Sequence, residues 1–161
     1  MKRTAIYPGT FDPLTYGHLD LITRGLGIFD EVIIAVAPSI KKKPLFTLEE
    51  RISMISEVIK DIRGASVEAF DTLLVEYVKK KKGVAILRGL RAVSDFEYEL
   101  QLALMNRRIS HDIETVFMMP SEEYSFLTAS IVKEVASFGG SVKDFVPVQV
   151  EEALKKKFGH V

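Results

Sequence analysis

The sequence contains neither cysteine nor tryptophan among its 161 residues. The lack of cysteine excludes disulfides, thiolate nucleophiles and thiolate metal ligands, and it is compatible with a reducing compartment. No charge of one sign dominates, since 22 Lys and Arg residues balance 22 Asp and Glu residues. Without a net field to attract phosphate backbones or anionic lipids, we expect no binding to nucleic acid or to a membrane surface.

Long hydrophobic runs are also missing. No apolar stretch approaches the roughly 20 residues that span a bilayer, and residues 1–8 lack the apolar core of a signal peptide. We therefore expect a cytoplasmic protein. Its 161 residues suit one domain, and we predict a single domain over residues 1–161.

Several nucleotide and metal motifs are absent. No G-x-x-x-x-G-K-[ST] loop occurs, which argues against a P-loop NTPase, and no G-x-G-x-x-G follows the first predicted strand, which argues against a dinucleotide-dependent dehydrogenase. His18, His111 and His160 are scattered and have no cysteine partners, so we expect no metal site formed by the protein itself.

Short apolar segments alternate with stretches of helical periodicity along the whole chain. Thr47 and Glu50 are spaced as a capping box before Leu48, Ile52 and Ile55. Such alternation predicts a parallel sheet with helices on both faces, which is an α/β fold. Five strands are predicted, at residues 5–7, 32–37, 66–70, 85–87 and 115–118.

A predicted helix over residues 94–108 is apolar on more than one side. Ser94 and Glu97 are spaced as a second capping box, and apolar residues then follow on two faces: Phe96, Tyr98, Leu100, Leu102, Leu104 and Met105. A helix that is apolar all round is buried, either within its own domain or against a partner. We predict that this helix packs at the interface of a symmetric homo-oligomer.

Polar residues follow the predicted strands, where ligands bind in a parallel sheet. Thr10 follows the first strand, and Gly17 and His18 open the next helix, whose N-terminus suits a phosphate. Lys41, Lys42 and Lys43 follow the second strand, although a solvated loop explains them equally well. These positions predict an anion site at one edge of the sheet.

The fourth and fifth strands end in similar groups. Arg88 and Arg91 flank Gly89 and can bind phosphates, while a salt bridge from Arg88 to a helix carboxylate such as Glu99 is the alternative. Residues 121–130 are rich in hydroxyls and enter a further helix, which fits either a phosphate cradle or plain helix capping.

Together these motifs resemble one family over nearly the whole chain, the bacterial phosphopantetheine adenylyltransferases of coenzyme A biosynthesis. The resemblance rests on YPGTFDP and TYGH at residues 7–18, KKP at 42–44, FTLEER at 46–51, RGLRAVSDFEYE at 88–99, and Ser125-Phe126 with VKE at 132–134. It implies a Rossmann-like, doubly wound fold, and transfer of AMP from ATP to 4′-phosphopantetheine with release of pyrophosphate. It also implies Mg²⁺ with ATP, a homohexamer, and coenzyme A as a feedback ligand.

The resemblance also implies roles by position. His18, Lys42 and Thr10 would be catalytic, and Thr10, Lys42, Leu74 and Arg88 would bind phosphopantetheine. The implied ATP site comprises Thr10, Phe11, His18, Gly89, Leu90, Arg91, Glu99, Tyr124, Ser125, Phe126, Leu127, Thr128, Ala129 and Ser130. Two positions depart from the wider pattern: Thr15 stands where histidine is common, and Ala129 interrupts a run of serines.

Three other interpretations compete with this one. A nicotinate-mononucleotide adenylyltransferase or a cytidylyltransferase would share the fold, but residues 88–99 argue against both. A regulatory nucleotide-binding protein would be free to lose Thr10, His18 and Lys42, which this chain retains. An interaction module without a small ligand would leave the polar strand ends unexplained.

Overall fold

Five parallel strands form one sheet in the computed structural model, which describes residues 1–39, 42–91 and 93–160, without the side chains of residues 93–95. The strand order is β3-β2-β1-β4-β5. All five predicted strands are confirmed, with ends shifted by one or two residues. Their bounds are β1 Thr4–Gly9, β2 Glu31–Val36, β3 Ala65–Ala69, β4 Ala85–Gly89 and β5 Glu114–Met118.

Six α-helices accompany the strands in the described part of the chain. They are α1 Tyr16–Gly25, α2 Leu48–Ile59, α3 Leu74–Lys80, α4 Val93–Ile109, α5 Ala129–Ser137 and α6 Val148–Phe158, with a 3-10 turn at Glu122–Tyr124. The Thr47–Glu50 capping box of α2 is confirmed, with both reciprocal hydrogen bonds present. The second predicted box cannot be assigned, because the Ser94 side chain lies outside the described residues.

Each face of the sheet buries its own cluster of apolar side chains, because successive residues of a strand point to opposite faces. Ala5 and Tyr7 of β1 face the larger cluster, which also holds residues of α1, α2, α5 and α6. Ile6 faces the smaller cluster, with Val75 and Val78 of α3. Helices therefore cover both faces, as the doubly wound prediction requires.

The strand order reverses direction at β1, which lies between β2 and β4. Pairing of Ala5 with Ala85 and of Ile6 with Ile86 places the carboxyl ends of β1 and β4 side by side. In open parallel sheets, the crevice beyond such a reversal is where ligands bind. The polar residues that follow β1 and β4 are thus brought to one place.

No helix among the described residues is both long enough and apolar enough to cross a membrane.

Candidate functional site

A cavity of about 250 Å³ lies beyond the carboxyl ends of β1 and β4. Its walls come from the ends of these strands, from the first two turns of α1 and from the segment between β5 and α5. The lining residues are Tyr7, Pro8, Gly9, Thr10, Phe11, Thr15, Gly17, His18, Leu21, Arg88, Gly89, Arg91, Glu99, Pro120, Tyr124 and Leu127. We call this space the nucleotide cavity, after the ATP site that the resemblance predicts at this edge of the sheet.

The nucleotide cavity brings together only part of the predicted site. It contains Thr10, Phe11, His18, Arg88, Gly89, Arg91, Glu99, Tyr124 and Leu127. Other predicted residues do not line it: Lys42, Leu74, Leu90, Ser125, Phe126, Thr128, Ala129 and Ser130. The polar groups that follow β1 and β4 therefore converge, whereas Lys42 is exposed on the loop after β2.

His18 is held at the start of α1 by a reciprocal capping box with Thr15. The Thr15 N–H donates to His18 Nδ1 at 3.0 Å, and the His18 N–H donates to Thr15 Oγ1 at 3.4 Å. Because Nδ1 accepts this bond, the proton of the neutral imidazole lies on Nε2. Threonine at position 15 thus caps the helix and leaves His18 a single N–H donor.

The surroundings of His18 favour the neutral ring. Burial and then the positive charge of Arg91 lower the pKa of His18 from 6.5 to about 4. The ring also packs edge-on against Phe11, with centroids 5.0 Å apart. At neutral pH, His18 is therefore an uncharged hydrogen-bond donor held in a fixed orientation.

Arg88 and Glu99 form an ion pair at the edge of the cavity. Arg88 Nε donates to Glu99 Oε2 at 2.7 Å, Nη2 donates to Glu99 Oε1, and Nη1 donates to the Pro8 carbonyl at 3.0 Å. Burial lowers the pKa of Arg88, but the hydrogen bond and charge of Glu99 outweigh it, and the net shift is upward. The alternative salt bridge is thus present, and Arg88 still lines the cavity.

A second cavity of about 220 Å³ lies on the other side of this ion pair. Arg88 and Glu99 line both cavities, and the rest of the second lining is mostly apolar: Leu73, Leu74, Ile86, Leu102, Ala103, Asn106 and Thr115. We call it the apolar pocket. Leu74 was predicted in the site and lies here, whereas Asn106 was missed because a lone helical asparagine carries no motif.

Tyr7 also lines the nucleotide cavity, and it belongs to the YPGTFDP motif, although the resemblance implies no role for it. Its side chain is buried and faces Phe11, with ring centroids 5.2 Å apart. Burial is the main cause that raises the pKa of its hydroxyl, against the lowering effect of Arg88 and Arg91. Tyr7 is therefore a neutral hydroxyl in this part of the site.

Carboxylates are scarce around the nucleotide cavity. Among the described residues, no group of three or more His, Cys, Asp or Glu side chains could hold a metal ion. Glu99 is the one acidic side chain in the described lining, and it is engaged by Arg88. The N–H and hydroxyl groups that line the cavity suit an anionic ligand better than a bare metal cation.

A five-stranded parallel sheet whose cationic and hydroxyl side chains meet beyond its reversal point is the architecture of α/β proteins that bind nucleotides at that edge. The model of the cytidylyltransferase-like family matches residues 6–135. This chain is 64% identical over 159 residues to the phosphopantetheine adenylyltransferase of Thermodesulfovibrio yellowstonii. The alignment covers 98% of this chain and 99% of that one. This chain belongs to the cytidylyltransferase-like family and, within it, to the phosphopantetheine adenylyltransferases.

Further similarities agree with this placement. The phosphopantetheine adenylyltransferase of Geobacter metallireducens is 55% identical over 157 residues, covering 98% of this chain and 96% of that one. The solved bifunctional NMN adenylyltransferase/ADP ribose pyrophosphatase of Francisella tularensis superposes with a TM-score of 0.73 at 15% identity, covering 97% of this chain and 49% of that one. At 15% identity, the similarity to the Francisella tularensis structure shows the fold alone.

Proposed function

We propose that this protein transfers AMP from ATP to 4′-phosphopantetheine, giving dephospho-coenzyme A and pyrophosphate. The observation that carries the proposal is the meeting of two different cavities at the Arg88–Glu99 ion pair. The nucleotide cavity is lined by donors for phosphates, whereas the apolar pocket suits a long, weakly polar chain. An acceptor with a phosphate at one end and an uncharged arm matches the two together.

The attacking group in this reaction is already an anionic phosphate, so no side chain has to remove a proton. The α-phosphorus gains a bond to the acceptor oxygen and loses its bond to pyrophosphate, which departs with the electron pair. Catalysis then depends on positioning and on stabilising charge at the α-phosphate. The site fits this need, since it is rich in N–H and hydroxyl donors.

Within this mechanism, His18 Nε2 donates to an α-phosphate oxygen. A neutral donor of fixed orientation stabilises the charge that develops there without reorganisation during the reaction. Thr10 lies on the same cavity wall and contributes its hydroxyl and backbone N–H to the phosphates. Arg91 lines the same cavity and lowers the pKa of His18, so its positive charge acts on the same region.

The apolar pocket holds the pantetheine arm in this proposal. Leu74, Leu102 and Asn106 line this pocket. We propose that the two leucines contact the arm and that the Asn106 amide pairs with one of its amides. The acceptor phosphate then lies beside Arg88, at the boundary of the two cavities. We also assign Lys42 to that phosphate, because its side chain is long, positively charged and exposed on the loop after β2.

The ATP phosphates extend towards α5 in this proposal. Thr128 caps this helix by accepting from the Ile131 N–H at 3.1 Å. Ala129 is the first residue of α5, so its N–H has no partner within the helix. We therefore assign a backbone contact to Ala129, and alanine at this position removes only a side-chain hydroxyl.

Mg²⁺ enters with ATP in this account. It is held mainly by the phosphates and water, as is usual for this ion when few carboxylates are present. The scarcity of free carboxylates around the nucleotide cavity fits such a substrate-bound ion. When bound, Mg²⁺ neutralises phosphate charge.

Three further assignments belong to the proposal. Coenzyme A contains the same pantetheine arm and an adenylate, so it is expected to compete for both cavities as a feedback ligand. We propose a homo-oligomer, specifically a hexamer, and the exposed apolar residues of α4 support an interface between subunits. We also propose a cytoplasmic location, with which the lack of cysteine is compatible.

The test measures pyrophosphate release from ATP with and without 4′-phosphopantetheine, beside a reaction lacking only Mg²⁺. We expect release that requires both the acceptor and the metal. Parallel reactions with nicotinate mononucleotide as acceptor, and with CTP as donor, should give no release above background. If pyrophosphate is released with nicotinate mononucleotide or with CTP, but not with ATP and phosphopantetheine, the protein catalyses a different nucleotidyl transfer.

A further inference from the structure

Asp12 lies in the turn between β1 and α1 but lines neither cavity. Its side chain is only 5% exposed. Oδ1 accepts from the Phe46 N–H at 2.9 Å, while Oδ2 accepts from the Leu45 N–H at 2.9 Å and from Lys133 Nζ at 2.8 Å. Lys133 lies on α5, so this one carboxylate joins three segments that are distant in sequence.

The segments joined by Asp12 include two that carry proposed acceptor groups. Thr10 lies two residues before Asp12, and Lys42 lies three residues before Leu45. Arg51 of α2 also binds the backbone of this turn. Its Nη1 donates to the Thr10 carbonyl at 2.7 Å and to the Ala37 carbonyl at 2.8 Å. The turn is thus held by Asp12 and by Arg51, and neither side chain lines the nucleotide cavity or the apolar pocket.

Lys133 is needed because a buried carboxylate is costly unless it is fully paired. Two backbone N–H groups and one ammonium satisfy Asp12. Without the ammonium, the buried carboxylate would lose its ion pair and would be drawn towards water. That movement would release the N–H groups of Leu45 and Phe46 and free the segment that carries Lys42.

We infer that Asp12 and Lys133 are positioning residues for AMP transfer. Their ion pair fixes the turn that carries Thr10 against the segment that carries Lys42, and thereby sets the geometry of the acceptor phosphate site. The inference rests on the proposed function, which assigns that phosphate to Thr10 and Lys42. A displacement of about 1 Å at such a site costs on the order of a hundredfold in rate.

The test replaces Lys133 with Met, which keeps the length of the side chain and removes its charge. We expect kcat/KM for 4′-phosphopantetheine to fall by roughly ten- to a hundredfold, while the KM for ATP changes far less. Lys133→Arg should restore most of the loss. Lys155→Met is the matched control, because it removes the cation of the Lys155–Glu151 pair on α6, at 3.0 Å and away from both cavities.

Thermal unfolding and the folded fraction are measured for every variant. Wild-type kinetic constants in Lys133→Met, no recovery in Lys133→Arg, or an equal loss in the Lys155→Met control would each overturn the inference. If Lys133→Met does not fold, the same kinetic constants are measured on Lys133→Gln, which keeps an N–H donor but lacks the charge. Wild-type enzyme that transfers no AMP would instead refute the proposed function, and the inference with it.

A double variant tests whether the two residues act as one unit. If they do, Asp12→Asn/Lys133→Met should lose no more kcat/KM than the worse single variant. Losses that multiply would show that Asp12 and Lys133 act separately, which contradicts a shared positioning role.

Discussion

At the scale of single residues, the orientation of His18 determines what it can do. Because His18 Nδ1 accepts a hydrogen bond from the Thr15 N–H, the ring proton of the neutral imidazole lies on Nε2, away from the capping box. We predict that His18→Ala lowers kcat by about 10²–10³, the usual cost of losing one donor to a transition-state oxyanion. The KM for ATP should change much less.

His18→Gln is the control for this prediction, since it keeps an N–H donor on a side chain of similar reach. Steady-state kinetics with both substrates decide the matter. If the His18→Ala enzyme keeps nearly full kcat, His18 does not stabilise the transition state.

The low pKa of His18 gives a prediction for pH dependence. Burial and Arg91 lower this pKa from 6.5 to about 4, so the ring stays neutral throughout the neutral range. The profile of kcat/KM for ATP, which reports the free enzyme, should show no inflection near 6.5 that belongs to His18. An inflection there that disappears in His18→Ala would contradict the assigned neutral state.

The same shift predicts a loss of stability in acid. Between pH 6.5 and about 4 the unfolded chain protonates this histidine and the native state does not. The free energy of unfolding should therefore fall as pH falls through this window. Urea unfolding at several pH values measures the slope, and His18→Asn should reduce it.

At the scale of elements, the sequence predicted the strands and α2 well because their signals are local. Apolar β-branched runs define β2, and Thr47 with Glu50 defines the start of α2. Of the residues that line the apolar pocket, Leu74, Arg88 and Glu99 were predicted in the site, and the last two also line the nucleotide cavity. Other lining residues of the apolar pocket, such as Leu102 and Ile86, are apolar residues with helical or strand periodicity and look like ordinary core.

Convergence of the polar strand ends could also be predicted, since the carboxyl ends of parallel strands share an edge. Thr10, Arg88 and Arg91 meet there as expected. The position of Lys42 could not be predicted, because it depends on the conformation of a loop and not on a periodic element. The Arg88–Glu99 pair was only one of two alternatives, since sequence does not give the rotation of α4 about its axis.

The capping box of α2 gives a prediction at this scale. Thr47 Oγ1 accepts from the Glu50 N–H at 3.1 Å, and the Thr47 N–H donates to Glu50 Oε2 at 2.8 Å. Thr47→Ala removes the first bond and should lower the free energy of unfolding by about 1 kcal/mol. Because Thr47 lines neither cavity, kcat should be unchanged. A loss of kcat without a loss of stability would contradict a purely capping role.

At the scale of the whole molecule, α4 leaves apolar side chains uncovered. Tyr98, Leu104 and Met105 are 62%, 58% and 60% exposed in the single chain. A helix this apolar on its outer side needs a partner. We therefore predict an oligomer at micromolar concentration, measured by light scattering.

Leu104→Glu together with Met105→Glu should shift the population towards monomer, because charges would be buried at the predicted interface. Ile28→Glu is the control, since Ile28 is also exposed but lies in the loop after α1. A wild-type protein that is a clean monomer would contradict the predicted interface.

We propose that one protein holds ATP and a phosphopantetheine side by side at the Arg88–Glu99 boundary and moves AMP between them. The most direct measurement follows ATP labelled at the α-phosphate in the presence of 4′-phosphopantetheine and Mg²⁺. We expect the label to appear in dephospho-coenzyme A, in an amount equal to the pyrophosphate released. Label that remains in ATP, or appears only as free AMP, would contradict direct transfer to this acceptor.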